Sequence, residues 1–481
     1  MMPTLTKSKF LDGLQCQRYF WREFNDKDNV PQPNAATKAK FKEGDKIGEL
    51  ATTLFPGGID VPTDDFKDNI EQTKELLKQK KPLFEPGFMF NNCFSRPDIL
   101  LPVGDQWDII EVKMGTKVKE TNIHDVAFQK YCYEGNGLAI RNCYLMHINN
   151  QYVREGDLDV EQLFVKEDIT EDVNALMDGM QGKIDMLFKL MTLNTCPSLL
   201  KTTIKNPTHK CADNNCLNDL PKDNVFTLYN GTSKGYSLLH DGITTLQEIP
   251  DDFTLTDKQA IQRDCARTGK PHVESEKITA FLETLQYPLY YLDFETFQTG
   301  IPPFDKVKPY AQIPFQWSLH VVQEKGGEPE HFEFLYDGHG DPREEFLASL
   351  QDVLGDSGSV IVYNQSFENT RLKELGLLYP EHQDWVESIL ERVIDLRDPF
   401  RLFWYYHPLQ YGSASIKKVL PVLGISVYHN LAIRDGLSAA SSFYAMAYGG
   451  GEDCRMSLLQ YCMFDTLAEV LIVEGLEKLE T

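Results

Sequence analysis

The chain has 481 residues, 42% hydrophobic and 25% charged, the balance of a folded protein with room for two to four domains rather than of a disordered one. Its 48 Lys and Arg stand against 72 Asp and Glu, a net charge of −24, which argues against a protein that holds nucleic acid mainly by a basic surface. The N-terminus lacks a signal-peptide core and no uninterrupted apolar run approaches the ~18 residues of a membrane span, so the expected setting is the cytoplasm, with ten irregularly spaced cysteines as thiols or metal ligands rather than a disulfide framework.

In chain order, Leu14-Gln15-Cys16-Gln17-Arg18 supplies a first cysteine, and Lys78 to Lys81 is a short basic run. Arg96-Pro97-Asp98-Ile99-Leu100 then leads, across a hairpin-sized interval, to Trp107-Asp108-Ile109-Ile110-Glu111-Val112-Lys113. Side chains alternate along a strand, so Glu111 and Lys113 point the same way. Asp98 and Glu111 would then ligate a divalent ion, while Lys113 positions a water or stabilises developing charge. A solvated strand face gives the same Glu-x-Lys spacing. The helix that follows carries Gln129 and Tyr133, four apart on one face. Cys196 comes next, and Asn206 to Asn230, with Cys211 and Cys216, is expected to be irregular structure closing a first domain.

Tyr236 to Glu283 reads as helical stretches broken at Gly242-Ile243 and Pro250-Asp251-Asp252. Leu238 to Leu246 resembles the Gly-containing turn of helix-hairpin-helix modules, which offers backbone amides to a phosphate, and fits an ordinary helix end at Gly242 as well.

Strands are expected at Tyr287 to Leu292, Gln312 to Val322 and Ser359 to Tyr363, and helices at Pro342 to Leu354, Glu368 to Leu378 and Met456 to Leu479, an α/β order. Asp293-Phe294-Glu295-Thr296 follows the first of these strands directly, and acids at i and i+2 share a strand face. Val360-Ile361-Val362-Tyr363 runs into Asn364-Gln365-Ser366-Phe367-Glu368, with Asp395 available as an alternative or additional acid. Near the C-terminus, Tyr461 and Asp465 share a helix face. Carboxylates from separate elements can hold two divalent ions ~4 Å apart, the arrangement suited to in-line phosphodiester hydrolysis. The tyrosine one turn from the last acid is placed to orient the attacking water.

These three C-terminal segments resemble, in order, the motifs of DnaQ-like, ribonuclease-H-fold exonucleases with tyrosine in the third motif. Asp293 and Glu295 fall on the first motif, Glu368 on the second, where the family usually has aspartate, and Tyr461 and Asp465 on the third. The resemblance implies stepwise 3′-to-5′ hydrolysis with Mg²⁺ or Mn²⁺. Asp98, Glu111, Lys113, Gln129 and Tyr133 resemble the PD-(D/E)xK nucleases of the RecB type with their trailing Gln-x-x-x-Tyr. The further His or Glu ligand that family carries in an early helix has only Glu49 as a counterpart here. Relatives of that type often hold an iron–sulfur cluster, which implies Cys16, Cys196, Cys211 and Cys216 as cluster ligands, with His209 as a substitute, zinc as the occupant, or four unrelated thiols that bind nothing as the alternatives.

The expected architecture is thus a restriction-endonuclease-like PD-(D/E)xK domain over residues 1–222, a small helical connector over 223–284 and a ribonuclease-H-like α/β domain over 285–481. The order resembles an uncharacterised bacterial family of fused nucleases and implies DNA processing, repair or defence. No P-loop, HExxH or GxSxG is present, so single strands or frayed ends of DNA, or a helicase partner, are expected. The rival readings are an RNase acting on RNA and a non-catalytic nucleic-acid-binding scaffold built from decayed nuclease folds.

Overall fold

The runs of β-branched and aromatic residues fold as strands wherever a sheet can bury them, and the class is mixed α/β, with mixed sheets in both halves of the chain. The computed structural model describes residues 3–33, 35–198, 217, 220–428 and 431–479. It divides into two units, Met1–Asp219 with Thr299–Ala311, and Leu220–Gln298 with Gln312–Thr481.

In the first unit six strands form one sheet, in the spatial order Ile59–Asp60, Leu83–Phe84, Ile99–Val103, Gln106–Lys113, Ile140–Ile148 and Phe164–Asp168. The third and fourth strands are a hairpin whose two-residue turn, Gly104-Asp105, needs a left-handed residue, and Gly104 provides it at φ 61°. That register sets Ile99 opposite Ile110, which brings Asp98 beside Glu111. Gln106–Lys113 is buried from Trp107 to Val112, because a helix packs on each side of it: Glu120–Gly135 and Ala35–Thr52. The stretch Thr299–Ala311 is tied into this unit by Arg154, whose Nη1 donates to the carbonyls of Pro302 and Pro303 at 3.0 and 2.9 Å.

The second unit is built on five strands in the order Glu330–Leu335, Ile313–Val322, Leu289–Phe297, Ser359–Val362 and Val393–Asp395, the first three antiparallel and the last two parallel to Leu289–Phe297. Alternation along Leu289–Phe297 splits its side chains between two cores. Tyr290, Leu292 and Phe294 pack with Phe346, Leu347 and Leu350 of the helix Arg343–Val353. Leu289 and Tyr291 pack with Ala468, Ile472 and Leu476 of the closing helix Arg455–Glu477. Asp293 and Glu295 continue this second face, so the strand's period delivers both acids to the closing helix. That helix is long and apolar enough to cross a membrane by length and composition alone; 56% of its apolar window is buried inside the unit, as in a core helix.

The expected helix breaks in the middle segment occur: helices run Thr232–His240, Asp257–Thr268 and Ser275–Leu282, and all belong to the second unit. Gly242, at φ 82°, closes the first of them, with Ile243 N–H donating to Leu238 O at 2.9 Å and Gly242 N–H to Leu239 O at 3.1 Å. Both amides are engaged in ending the helix, the ordinary glycine cap.

Candidate metal centre and nuclease-like cluster

Asp293, Glu295 and Asp465 each present a carboxylate oxygen within 4.8 Å of the other two. The sheet supplies the first pair and the closing helix the third acid, because Tyr461, Asp465 and Glu469 form one stripe at helical spacing facing the strand. Among the described residues this is the one group of three His, Cys, Asp or Glu side chains close enough to share an ion.

Two further acids approach it. Glu368 sits in the first turn of Ser366–Leu378, 3% exposed, and Glu469 lies on the closing helix, 1% exposed. Each has one oxygen, Oε2, with no hydrogen-bond partner. Burial and then repulsion from Asp293 push the Glu368 carboxyl up to about 9. Burial, then Asp293, Glu368 and Asp465, hold Glu469 well above the usual carboxylate range. The three clustered acids show the same pressure. Burial and the charge of Asp465 raise Asp293, and burial with Asp293 and Asp465 raises Glu295. Asp465 rises only to about 6, because the Tyr428 and Tyr461 hydroxyls and the Lys417 charge oppose burial. The Tyr428 hydroxyl donates to Asp465 Oδ1, and the Cys462 thiol lies 3.6 Å from Asp293 Oδ2.

Asp395, weighed from sequence as an extra acid, has another task. Its Oδ1 accepts from the amides of Asn364 and Arg397, both at 3.0 Å. Asn364 has φ 92°, so this carboxylate stabilises the left-handed turn that carries the chain from Ser359–Val362 into the helix bearing Glu368.

The first unit brings its sequence-marked residues together too. Gln129 Nε2 donates to Glu111 Oε2 at 2.7 Å, and Tyr133 OH to Gln129 Oε1 at 3.3 Å. Asp98 Oδ2 accepts the Val112 amide at 2.5 Å, and Lys113 Nζ lies 2.5 Å from Glu111 Oε1. Two residues join that the sequence reading missed. Asp125, one turn before Gln129, accepts from Gln129 at 2.9 Å and pairs with Lys113 at 2.8 Å. Lys7, at the start of the helix Lys7–Gln15, reaches Glu111 Oε1 at 2.7 Å. Burial alone would raise Glu111, but Lys113 and Lys7 outweigh it and draw the carboxyl down to about 2. Asp98, raised by burial and by Glu111, goes to about 7.

Glu49 is exposed on the helix Ala35–Thr52. Cys16 caps the helix Gln17–Asn25, its sulfur accepting from Tyr19 N–H at 3.4 Å, and Cys196 is half-buried. Cys211, Cys216 and His209 lie outside the described residues.

Residues 290–415 match the model of a domain of unknown function (DUF2779). That segment contains Asp293, Glu295 and Glu368 and ends before Tyr461 and Asp465. The chain is 28% identical over 220 residues to the uncharacterized protein MG366 homolog of Mycoplasma pneumoniae, covering 41% of this chain and 33% of that protein. It is 29% identical over 208 residues to the uncharacterized protein MG366 of Mycoplasma genitalium (38% and 31%), and 30% identical over 155 residues to the uncharacterized protein UU173 of Ureaplasma parvum (29% and 22%). The chain thus spans about a third of the length of the first two relatives.

Glu469, Tyr428 and Lys417 were not singled out from sequence. Glu469 carried a usable signal, since it continues the Tyr461–Asp465 stripe by one more turn; Tyr428 and Lys417 come from non-periodic or exposed positions and carried none.

Proposed function

We propose that the second unit is a divalent-metal-dependent exonuclease that hydrolyses phosphodiester bonds of DNA from the 3′ end. One observation carries the reading: Asp293, Glu295, Glu368, Asp465 and Glu469 crowd into one interior space, where burial shifts every one toward the protonated form and repulsion from neighbouring acids adds to it for all but Asp465. An all-oxygen donor set of this charge, with orphaned oxygens on Glu368 and Glu469, fits a hard divalent cation and nothing softer. Asp293, Glu295, Asp465 and Glu368 would hold Mg²⁺ or Mn²⁺, which supplies a nucleophilic water at neutral pH and charge for the phosphate oxygens.

The chain's own groups do the rest. Tyr461 orients the attacking water, one helical turn from Asp465. The water oxygen bonds to phosphorus and the bond to the penultimate 3′ oxygen breaks; that oxygen takes a proton and becomes the new 3′ end, and a nucleoside 5′-monophosphate leaves. The mixed five-stranded sheet with helices on both faces supports the ribonuclease-H-like reading. Lacking a P-loop, the protein works on single strands or frayed ends, or beside a helicase.

For the first unit a specific observation favours the second reading, binding without cutting. Oε1 of Glu111 already receives Lys7 and Lys113, and Oε2 receives Gln129, so both oxygens of this one RecB-like ligand are engaged by the protein's own cations and amide.

The test is degradation of end-labelled single-stranded DNA and RNA with Mn²⁺ or Mg²⁺ by wild type, Asp293→Ala and Glu111→Ala. Laddering from the 3′ end that Asp293→Ala abolishes and Glu111→Ala leaves supports the assignment. A wild-type protein that cuts neither polymer with either metal sinks it and favours the scaffold reading.

A further inference from the structure

The strand Ile313–Val322 is buried along its whole length, yet three alternate side chains in it are polar. Gln316, Ser318 and His320, 0%, 1% and 5% exposed, share one face by the two-residue period. The register sets Gln316 opposite Glu295, Ser318 opposite Asp293 and His320 opposite Tyr291, so each of the two acids has a buried polar neighbour on the next strand.

All three reach the closing helix Arg455–Glu477. Gln316 Nε2 donates to the Leu458 carbonyl at 2.9 Å. Ser318 Oγ and His320 Nδ1 each lie 2.8 Å from Thr466 Oγ1, and Thr466 is 0% exposed. Thr466 itself donates to the Met463 carbonyl at 3.1 Å, so its oxygen accepts from Ser318 and from His320. Ser318, its own proton given to Thr466, accepts from His331 Nε2 at 3.0 Å. Burial, then His331, lowers His320 to about 4, and burial lowers His331, so both rings are neutral and one proton serves each bond.

The two anchor points, Leu458 and Thr466, bracket Tyr461 and Asp465 along the helix. An apolar strand face would hold that helix by buried area, which neighbouring registers offer about equally. Buried donors with one acceptor each do not: a slip of one turn, about 5.4 Å, leaves Gln316, Ser318 and His320 dry and unmet. A buried polar residue that fixes the register of a coiled coil works in the same way. The hydrolytic step uses none of these side chains, and packing alone would be served by apolar ones.

We propose that Gln316, Ser318, His320 and Thr466 are positioning residues of the metal centre, a two-point clamp that holds the closing helix at the register in which Asp465 meets Asp293 and Glu295. The inference rests on the metal-dependent reading of this unit and adds that divalent-ion affinity depends on four side chains that do not touch the ion.

Titration calorimetry of Mn²⁺ on the full chain tests this for wild type, Asp293→Asn, Thr466→Val, Thr466→Ser and Gln316→Met, with melting transitions to show that each is folded at the temperature used. Wild type should bind Mn²⁺, and Asp293→Asn should lose it. Thr466→Val keeps the shape but takes away the acceptor of Ser318 and His320, and should weaken Mn²⁺ at least about tenfold, ~1.4 kcal/mol. Gln316→Met should do the same at the other anchor. Thr466→Ser keeps the hydroxyl and gives up the methyl, and should stay within about threefold of wild type. A folded Thr466→Val or Gln316→Met with wild-type affinity overturns the clamp, as does a Thr466→Ser as weak as Thr466→Val, which would assign the position to packing. Where Thr466→Val does not fold, Gln316→Met decides alone. Wild-type binding that Asp293→Asn abolishes and the clamp variants leave intact removes the clamp and keeps the metal centre. A wild type that binds no Mn²⁺, or whose binding survives Asp293→Asn, removes both.

Discussion

Nζ of Lys7 lies 2.7 Å from Oε1 of Glu111, and Nζ of Lys113 reaches the same oxygen at 2.5 Å. Burial by itself would lower the Lys7 pKa; Asp125 and Glu111 outweigh it and hold the ammonium charged. A divalent ion therefore reaches this oxygen of Glu111 only by displacing a charge-assisted hydrogen bond of roughly 1.5–3 kcal/mol. Lys7→Met, in a chain whose second cluster is disabled by Asp293→Asn, should raise Mn²⁺ affinity about tenfold or more by titration calorimetry. Unchanged affinity would mean that Lys7 does not guard the site.

The second unit answers pH in the opposite sense from an ordinary salt-bridged protein. Asp465 and Glu368 bind a proton more tightly folded, at about 6 and about 9, than at the ordinary carboxylate values of 3.8 and 4.5. Their contribution to stability is complete below the unfolded values and is lost as pH rises through 6 and then 9. In EDTA, melting of this unit should fall by at least about 3 °C between roughly pH 5 and 9. Mn²⁺ should flatten the slope, because the ion favours the ionised form. A metal-free melting temperature that rises over this window contradicts the assignment.

Glu469→Gln separates a functional acid from a structural one. In the metal-free protein the substitution removes the cost of holding a carboxyl, shifted toward its protonated form, at a 1% exposed site with an orphaned oxygen, so the unit should become more stable by about 1 kcal/mol, read by chemical denaturation. With Mn²⁺ present the sign should invert, because an anion that helps balance the ions has gone. Loss of stability under both conditions would assign Glu469 to packing alone.

Much of this was legible where a period governs side-chain direction. Asp293 and Glu295 follow an apolar run with two-residue alternation, and Tyr461 with Asp465 keeps helical spacing, so element type and shared face followed from the residues. The strand Glu330–Leu335 was not expected: it is a sheet edge, with only Leu335 buried, and its charged and aromatic residues show no clean alternation. Lys7 stands 104 residues before Glu111, and no local rule links a helix start to a distant hairpin. Tyr428 comes from a loop without period, and tertiary packing alone brings it to Asp465. At Asp395 the sequence did not show the turn-anchoring bonds, since a carboxylate that anchors a turn and one that binds an ion look alike until its partners are known.

Tyr461 offers the sharpest division between holding an ion and using it. It is 5% exposed on the closing helix, and its hydroxyl bears on Asp465, whose other oxygen-side partner is Tyr428. If its hydroxyl orients the attacking water, Tyr461→Phe should slow single-turnover hydrolysis at saturating Mn²⁺ by roughly ten- to a hundredfold, the lower part of the range for a positioned proton-handling group. Mn²⁺ affinity should change by much less, because Asp293, Glu295 and Asp465 all remain. Asp293→Asn should instead lose the ion and the reaction together. A Tyr461→Phe protein that cuts at the wild-type rate, or one that loses Mn²⁺ as completely as Asp293→Asn, would remove the water-orienting role and leave the tyrosine as a wall of the metal centre.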